Sequence, residues 1–279
     1  MQTAPTIDLR RAGGAFTKSD SPVFDATSKQ SLQSATAAAR DFSGLAVERI
    51  VIVRAPDRDQ LRGQITGTKT VRTLSYPSRK TQRARFAEGA AEFERIEAEE
   101  VEVAVVDGVA QPMRIEALVH TPAGPNWLSH IPDFATLYAN GERALVDAKR
   151  VWSDFRKPLG YKQTFLGQLA ADMMGYRYER IILGSAGSDV RRRNINEVQA
   201  ARFVHVPDHL AARAALILKA GGISLGHLSD LLHPANGRAM VFALMVRRLV
   251  EIDLDRPLGV NSECRAVPAL PSAMPSIRH

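Results

Sequence analysis

Two carboxylates and one amine lie close together in the sequence between residues 130 and 150. Asp147 and Lys149 are separated by one residue in an apolar stretch that predicts a β-strand, so their side chains point to the same face. Asp133 precedes a second apolar stretch, and Asn140-Gly141 between the two stretches predicts a β-hairpin. The turn of this hairpin decides whether Asp133 shares the face of Asp147.

Two turns are compatible with this hairpin. A two-residue loop of Asn140 and Gly141 would pair Asp133 with Ala148 and point the Asp133 side chain to the wrong face. A three-residue loop that starts at Ala139, with Gly141 in the left-handed conformation, would pair Asp133 with Asp147. We predict the three-residue loop. Directly opposed side chains have Cβ atoms about 4.5 to 5.5 Å apart, close enough for both carboxylates to bind one cation.

The chemistry of this group points to a divalent cation. Two carboxylates this close repel each other by about 4 kcal/mol at an effective dielectric of about 20, unless a cation lies between them. Oxygen ligands alone favour Mg²⁺ or Mn²⁺. With a lysine to orient a water molecule or a phosphate oxygen, the group has what phosphodiester hydrolysis requires.

A second interpretation is a hairpin that carries charged residues on a solvent face, which a bare Asp-x-Lys triplet leaves open. The sequence around the acids favours buried strands instead. Pro132 places Asp133 at the start of a strand, and Phe134, Leu145 and Val146 flank the acids.

Composition limits the partners and the compartment. The chain of 279 residues has 37 basic and 30 acidic residues, a net charge of +7, which favours an anionic partner and nucleic acid first. The single cysteine, Cys264, cannot form an internal disulfide. No apolar run approaches the roughly 18 to 20 residues that span a bilayer, and the N-terminus lacks the apolar core of a secretory signal. We therefore expect a cytoplasmic protein without a membrane partner.

The pattern along the chain divides it into four parts. We predict a flexible N-terminal extension over residues 1–45, a mixed α/β domain over 46–188, a helical domain over 189–260 and a C-terminal tail over 261–279. Within the second part, residues 78–97 predict a helix that opens after Pro77. The order of elements in the third part suits an all-α, winged-helix-like domain. A small helical bundle for protein contacts is the alternative.

Several short motifs resemble a known nuclease family. Pro132-Asp133 and Asp147-Ala148-Lys149, after a helix that carries glutamates, resemble the PD-(D/E)xK nucleases of the restriction-endonuclease-like fold. The order of motifs is similar to that of TnsA, the endonuclease subunit of heteromeric transposases. These motifs are YPSRK (76–80), FAEGAAEFERI (86–96), Gln111-Pro112, IPDF (131–134) and LVDAKR (145–150). Residues 223–258 resemble the winged-helix C-terminal part found in members of that family. The likeness covers about Val47 to Leu258.

The resemblance implies a fold and a set of site residues. The fold would be a restriction-endonuclease-like mixed sheet flanked by helices. Asp133 and Asp147 would bind the metal with the Ala148 carbonyl, Glu92 would complete its shell, and Lys149 would act on the nucleophilic water. The sequence departs from the family in the helix, where Glu88 and Glu92 stand in place of the usual E-S-x-L-E-R pattern. Glu88 is therefore the alternative to Glu92.

The resemblance also implies a reaction and partners. The chain would be a Mg²⁺-dependent endonuclease that hydrolyses the 5′ strands at the ends of a transposon in double-stranded DNA. A TnsB-like DDE transposase would process the 3′ strands, and a TnsC-like ATPase would regulate both. A stand-alone restriction or repair nuclease and a non-catalytic DNA-binding regulator are the alternatives.

Basic residues outside the motifs are candidates for DNA phosphate contacts, although a charge run is also typical of a solvated face. We expect such contacts from a residue next to Lys149, from a run of three arginines at the start of the helical domain and from one arginine on the candidate recognition helix. These residues are Arg150, Arg191, Arg192, Arg193 and Arg238.

Overall fold

The structure is a computed structural model, and it describes residues 6–11, 45–55, 61, 73–182 and 189–277. Most of the extension predicted for residues 1–45 lies outside the described residues. Residues 6–11, which are described, form a strand that pairs in parallel with residues 49–54, so this piece is not an unstructured arm. Among the described residues, no helix combines the length and the apolarity needed to cross a membrane.

The first sheet has four strands in the order β1-β2-β6-β7. Its strands are β1 (Thr6–Arg11), β2 (Ala46–Arg54), β6 (Met113–Thr121) and β7 (Gly124–His130). Strand β6 pairs antiparallel with both of its neighbours. The end of β7 leads directly into the second sheet through residues 131–133.

The second sheet carries the acidic motif and has the order β10-β9-β8-β5. Its strands are β5 (Val105–Ala110), β8 (Phe134–Tyr138), β9 (Arg143–Lys149) and β10 (Arg177–Ile182). Strand β8 is antiparallel to β5 and β9, whereas β10 is parallel to β9. Helices α2 (Trp152–Phe155) and α3 (Pro158–Met174) make the connection that a parallel pair requires. The α/β class is confirmed.

A hairpin and a helix precede this sheet. The hairpin is β3 (Thr73–Ser78) with β4 (Arg83–Glu88), and α1 (Ala90–Val101) follows it. The prediction of one helix over residues 78–97 is therefore wrong at its start. The reason is that β4 buries Arg85 beside an acidic partner, so a residue that looks solvent-exposed in the sequence faces inward. Gly89, with a φ of 102°, separates the strand from the helix.

The second sheet packs on both of its faces. On the α3 face, Ala135 and Leu145 share a core with Leu166 of α3 and with residues of β2 and β6. On the α1 face, Phe134 and Val146 share a core with Ile96 of α1. Because side chains alternate along a strand, each residue of β8 and β9 can be assigned to one of these faces.

The C-terminal unit contains four helices and a small sheet. Its elements are α4 (Asp189–Ala200), α5 (Asp208–Ala220), β11 (Ile223–Ser224), α6 (Leu225–Leu232), α7 (Gly237–Val246), β12 (Val250–Ile252) and β13 (Glu263–Ala266). The three strands pair in the order β11-β13-β12, so the prediction of an all-α unit is wrong. Strands of two to four residues are too short to give a periodic sequence pattern. Strand β13 also extends the unit past the boundary predicted at residue 260.

The two units share a core at the end of α1. Val101 and Val103 are buried among residues of the C-terminal helices. The chain after β13 then returns to the second sheet, where Arg143 donates a hydrogen bond to the Ser276 carbonyl at 3.4 Å. Ile277 is buried at the end of this segment.

Candidate active site

The turn between β8 and β9 has the predicted geometry. The Tyr138 N–H donates to the Glu142 carbonyl, which leaves a three-residue loop closed by Gly141 with a φ of 87°. The register that pairs Phe134 with Val146, extended by one residue, sets Asp133 opposite Asp147, and the charge of Asp147 acts on the Asp133 carboxyl. The prediction of the three-residue loop is confirmed, and both carboxylates belong to the α3 face together with Lys149.

Asp147 is fully buried and held by two neighbours. His130, at the end of β7, places Nε2 2.9 Å from each of the two carboxylate oxygens. The Tyr178 hydroxyl, on β10, donates to Oδ2 at 2.5 Å. Burial and the Asp147 charge raise the pKa of Tyr178 well above its usual value, so the phenol stays protonated and remains a donor. The orientation of the Asp147 carboxylate is therefore fixed by strands of both sheets.

Asp133 is less constrained than Asp147. Its Oδ2 accepts the Ala148 N–H at 2.7 Å. Asp133 precedes the first residue of β8, so its side chain, in place of a backbone carbonyl of β8, accepts this N–H. Burial first, and then the charge of Asp147, raise the pKa of Asp133 to about 6, while the Ala148 N–H, Lys149 and His130 lower it. The two acids thus interact electrostatically, as the hairpin geometry requires.

Lys149 is the third charged residue of the candidate site, with Asp133 and Asp147. Its ammonium lies 5.8 Å from the centre of the Phe155 ring, and its charge favours the ionised form of Asp133. The side chain is partly exposed, so a ligand that approaches from solvent can reach the ammonium. A cation beside two acids at an accessible strand end can contact a phosphate.

Of the two candidate glutamates, Glu92 lies on α1, which packs against the opposite face of the sheet, whereas Glu88 is the last residue of β4. Glu92 stands in the first turn of α1, and its Oε2 accepts the Glu88 N–H at 2.8 Å. Over the described ranges, with their gaps at 12–44, 56–60, 62–72 and 183–188, no group of three or more His, Cys, Asp or Glu residues is arranged to hold a metal. The structure therefore brings Asp133 and Asp147 together without adding Glu92 or Glu88 to a metal cage.

The donors that are present fit Mg²⁺ or Mn²⁺ without such a cage. The carbonyl of a strand residue points to the same side as its N–H, so the Ala148 carbonyl points towards the Asp133 side. The donor set is then two carboxylates and one carbonyl, all oxygen. Mg²⁺ is commonly bound through one or two carboxylates plus waters and substrate phosphates. A carboxylate has about four lone-pair sites, so the bonds from His130 and Tyr178 leave Asp147 one site for a cation.

Four of the five arginines expected to contact DNA make contacts within the chain. Arg191 bridges Glu102 at 2.7 Å and Asp255 at 3.1 Å. Arg192 pairs with Asp189, and Arg193 donates to the Asp189 carbonyl. Arg238 pairs with Glu197. Arg150, next to Lys149, is exposed. Their contacts with DNA stay predictions, and of the five only Arg150 adjoins the acidic group.

Sequence reasoning did not find the two residues that hold Asp147. His130 had a signal, because it precedes Asp133 by three residues, but histidine alone does not distinguish a core residue from a site residue. Tyr178 had none, since only the parallel pairing of β10 with β9 brings it beside Asp147. Comparison with known proteins found no family model and no curated protein that matches this chain.

Proposed function

We propose that this chain is a metal-dependent DNA endonuclease. The observation that supports it most is the pairing of Asp133 with Asp147, on one face of the sheet with Lys149, beside the Ala148 carbonyl. Two acids held this close, one with its pKa raised to about 6, form a site that a divalent cation would stabilise. A lysine in the same place suits a polyanionic substrate, and so does the net charge of +7.

Each residue has a role in this proposal. Asp133, Asp147 and the Ala148 carbonyl hold Mg²⁺ or Mn²⁺, which when bound polarises the scissile phosphate and lowers the pKa of the attacking water. His130 and Tyr178 position Asp147, as outer residues of metal sites commonly do. Lys149 orients the water or a phosphate oxygen in the transition state. Glu92 lies on the helix that packs against the other face of the sheet, so we assign it no contact with this ion.

The wider setting of the proposal is transposition. The order of the short motifs, from YPSRK to LVDAKR, is the reason to propose a TnsA-like subunit that cuts the 5′ strands at transposon ends. A mixed sheet with helices on both faces suits a restriction-endonuclease-like fold. The order β11-β13-β12 around α6 and α7 suits a winged helix. The partners would be a TnsB-like DDE transposase and a TnsC-like ATPase.

One observation favours a second candidate, a DNA-binding regulator that does not cut. Asp147 already accepts three contacts from His130 and Tyr178, and the described residues contain no group of three metal-binding side chains. A pair of acids satisfied within the protein could be a structural element of the sheet. The two candidates differ in whether the chain hydrolyses DNA.

Strand-specific cleavage tests the proposal. Duplex DNA that carries transposon ends, labelled on either strand, is incubated with the chain and Mg²⁺, with and without a TnsB-like transposase. We expect cuts in the 5′ strands that require Mg²⁺ and disappear in Asp133→Asn. Asp172→Asn, at an exposed acid of α3, is the control and should cut normally. Equal cleavage by Asp133→Asn, or no cleavage under any of these conditions, would remove the nuclease assignment.

A further inference from the structure

An exposed surface with several large apolar side chains begins directly after Lys149. We call residues 150–161 the Trp152 surface. Four large side chains in it are more than one-third exposed: Val151 at 51%, Trp152 at 56%, Leu159 at 57% and Tyr161 at 39%. Large apolar side chains that cluster on the outside of a folded protein commonly mark an interaction site.

The Trp152 surface is built on a fixed corner. Phe155 is 3% exposed, and its ring lies 5.7 Å from the Trp152 ring, centre to centre. Gly160 is buried where a Cβ atom would lie 2.2 Å from the Asp154 carbonyl oxygen, so helices α2 and α3 approach too closely there for any other residue. The exposed tryptophan is therefore presented by a packed corner, which lowers the entropy cost of binding to it.

The surroundings of Trp152 are strongly basic. Residues 149–162 contain five Lys and Arg residues and a single acid, Asp154. Lys157 pairs with Asp154 at 2.6 Å, whereas Arg150 and Arg156, two residues before and four residues after Trp152, are exposed. Lys149 and Arg180 both lie near the Phe155 ring, at 5.8 and 5.7 Å. An anionic ligand at the Trp152 surface would therefore meet several positive charges.

Basic residues interleaved with exposed aromatic residues fit single-stranded nucleic acid better than an apolar protein partner. A nucleic acid strand supplies phosphates for the cations and a base for the ring, and stacking on an aromatic side chain adds affinity for every base type. The Phe155 ring centre lies 5.7 Å from that of Trp152 and 5.8 Å from the Lys149 ammonium, so one strand can reach both residues.

We propose that Trp152 stacks on an unpaired DNA base close to the scissile phosphate, with Arg150 and Arg156 on the neighbouring phosphates. The position relative to the scissile phosphate rests on the proposed nuclease function, whereas the stacking itself does not. The consequence for the substrate is a preference for DNA that is unpaired or distorted next to the cleavage point over continuous duplex.

Tryptophan fluorescence tests the stacking. The chain has two tryptophans, Trp127 on β7 and Trp152, so Trp127→Phe leaves Trp152 as the only one. Titrations without divalent cation use an oligothymidylate strand, an abasic strand of equal length and a duplex. We expect the oligothymidylate strand to quench the Trp152 fluorescence, the duplex to quench it less and the abasic strand to leave it nearly unchanged.

Affinity measurements with matched variants complete the test. Trp152→Ala should bind the oligothymidylate strand about tenfold more weakly, while Leu216→Ala, at an exposed apolar residue of α5 outside the Trp152 surface, should bind as wild type. Equal quenching by the abasic and base-bearing strands would overturn the stacking. Unchanged fluorescence with unchanged affinity of Trp152→Ala would assign the surface to another partner, such as a protein.

The result of the fluorescence titration does not depend on catalysis. Asp133→Asn should keep the quenching in full, because the titration needs no metal and no cleavage. If Asp133→Asn and wild type cut DNA equally while Trp152 is quenched, the proposed nuclease site fails and the stacking surface stands. If the chain cuts DNA with Mg²⁺ and the Trp152 fluorescence is not quenched, the nuclease assignment stands and the stacking fails.

Discussion

Asp133 is held where its own negative charge is unfavourable. Its folded pKa of about 6 lies above the usual value of 3.8, chiefly because of burial and then because of Asp147. Below the usual pKa the carboxyl group is protonated in both the folded and the unfolded chain. Between the two pKa values only the folded chain keeps the proton, so stability falls as the pH rises through this window. Above this pH window the full free-energy cost of the buried Asp133 charge remains, unless a bound cation offsets it.

Removing this charge should therefore stabilise the protein. Asp133→Asn keeps an oxygen that can accept the Ala148 N–H. We expect its free energy of unfolding, from urea denaturation at about pH 7.5, to exceed that of wild type by about 1 to 3 kcal/mol, and the gain to vanish at about pH 4. Mg²⁺ should raise the stability of wild type and not of the variant. A variant that is less stable at the higher pH would mean that the Asp133 charge stabilises the fold.

The hydroxyl of Tyr178 contacts Asp147 at 2.5 Å, and we expect it to position that carboxylate. Tyr178→Phe should lower metal affinity by about tenfold or more, as the loss of an outer hydrogen bond at a metal site commonly does. Calorimetric titration with Mn²⁺ measures this. Tyr138→Phe is the control, because the Tyr138 hydroxyl donates to a carboxylate of the same sheet, Glu179, rather than to Asp147. Equal metal affinities in the two variants would limit Tyr178 to a structural role.

At the scale of elements, the hairpin before α1 caps the C-terminal end of that helix. Lys80 is half-buried, and its Nζ donates to the carbonyls of Glu99 and Glu102 at 2.7 and 2.6 Å. The Glu99 carbonyl belongs to the last turn of α1, where helical partners are lacking, and the Glu102 carbonyl, just after α1, also accepts the Val105 N–H. Glu100 in turn accepts the backbone N–H groups of Arg79 and Lys80. The hairpin and the helix end therefore satisfy each other's polar groups.

Loss of Lys80 should cost more than loss of an exposed lysine. We expect Lys80→Met to lower the free energy of unfolding by about 2 kcal/mol, because it leaves the carbonyl of the buried Glu99 without this donor. Lys157→Met removes an exposed pair with Asp154 and should cost less than about 1 kcal/mol. Urea denaturation of both variants provides the measurement. A cost for Lys80→Met no larger than that for Lys157→Met would contradict the capping role.

Local signals explain which elements the sequence could predict. Asn140-Gly141 between two apolar strands carries its own turn chemistry, so the register of Asp133 and Asp147 followed from the residues alone. Strand β4 was missed because Arg85 is buried by a partner, Glu99, that comes 14 residues later. The same limit applies to Asp147, whose contacts come from β7 and β10. Long-range pairing of polar groups leaves no local pattern.

At the scale of the whole molecule, α1 joins the two units. Its C-terminal residue Val101 and the nearby Val103 lie in the core of the C-terminal helices. Arg191 links Glu102, just after α1, to Asp255 in the loop between β12 and β13. A boundary at residue 188 follows the change of sequence pattern, but the packing crosses it. We expect the two units to unfold in one transition.

Arg191 should matter more for this junction than for DNA affinity. Arg191→Ala leaves two acids without their partner, and we expect a loss of about 1 kcal/mol in the free energy of unfolding, discounted because all three side chains are partly exposed. Arg192→Ala, whose pair with Asp189 is more exposed, should cost less. Thermal unfolding and DNA affinity of both variants are compared. A larger effect of Arg191→Ala on DNA affinity than on stability would restore the DNA contact predicted from the sequence.

The most direct test of the account is Mn²⁺ binding, followed by the loss of the free-ion signal in electron paramagnetic resonance. Wild type at about pH 7.5 should bind one Mn²⁺ that Mg²⁺ displaces, and binding should weaken as the pH falls through about 6, where Asp133 takes up a proton. Asp133→Asn should bind none, and Asp172→Asn should bind as wild type. Equal Mn²⁺ binding by wild type and Asp133→Asn would contradict a cation held between Asp133 and Asp147.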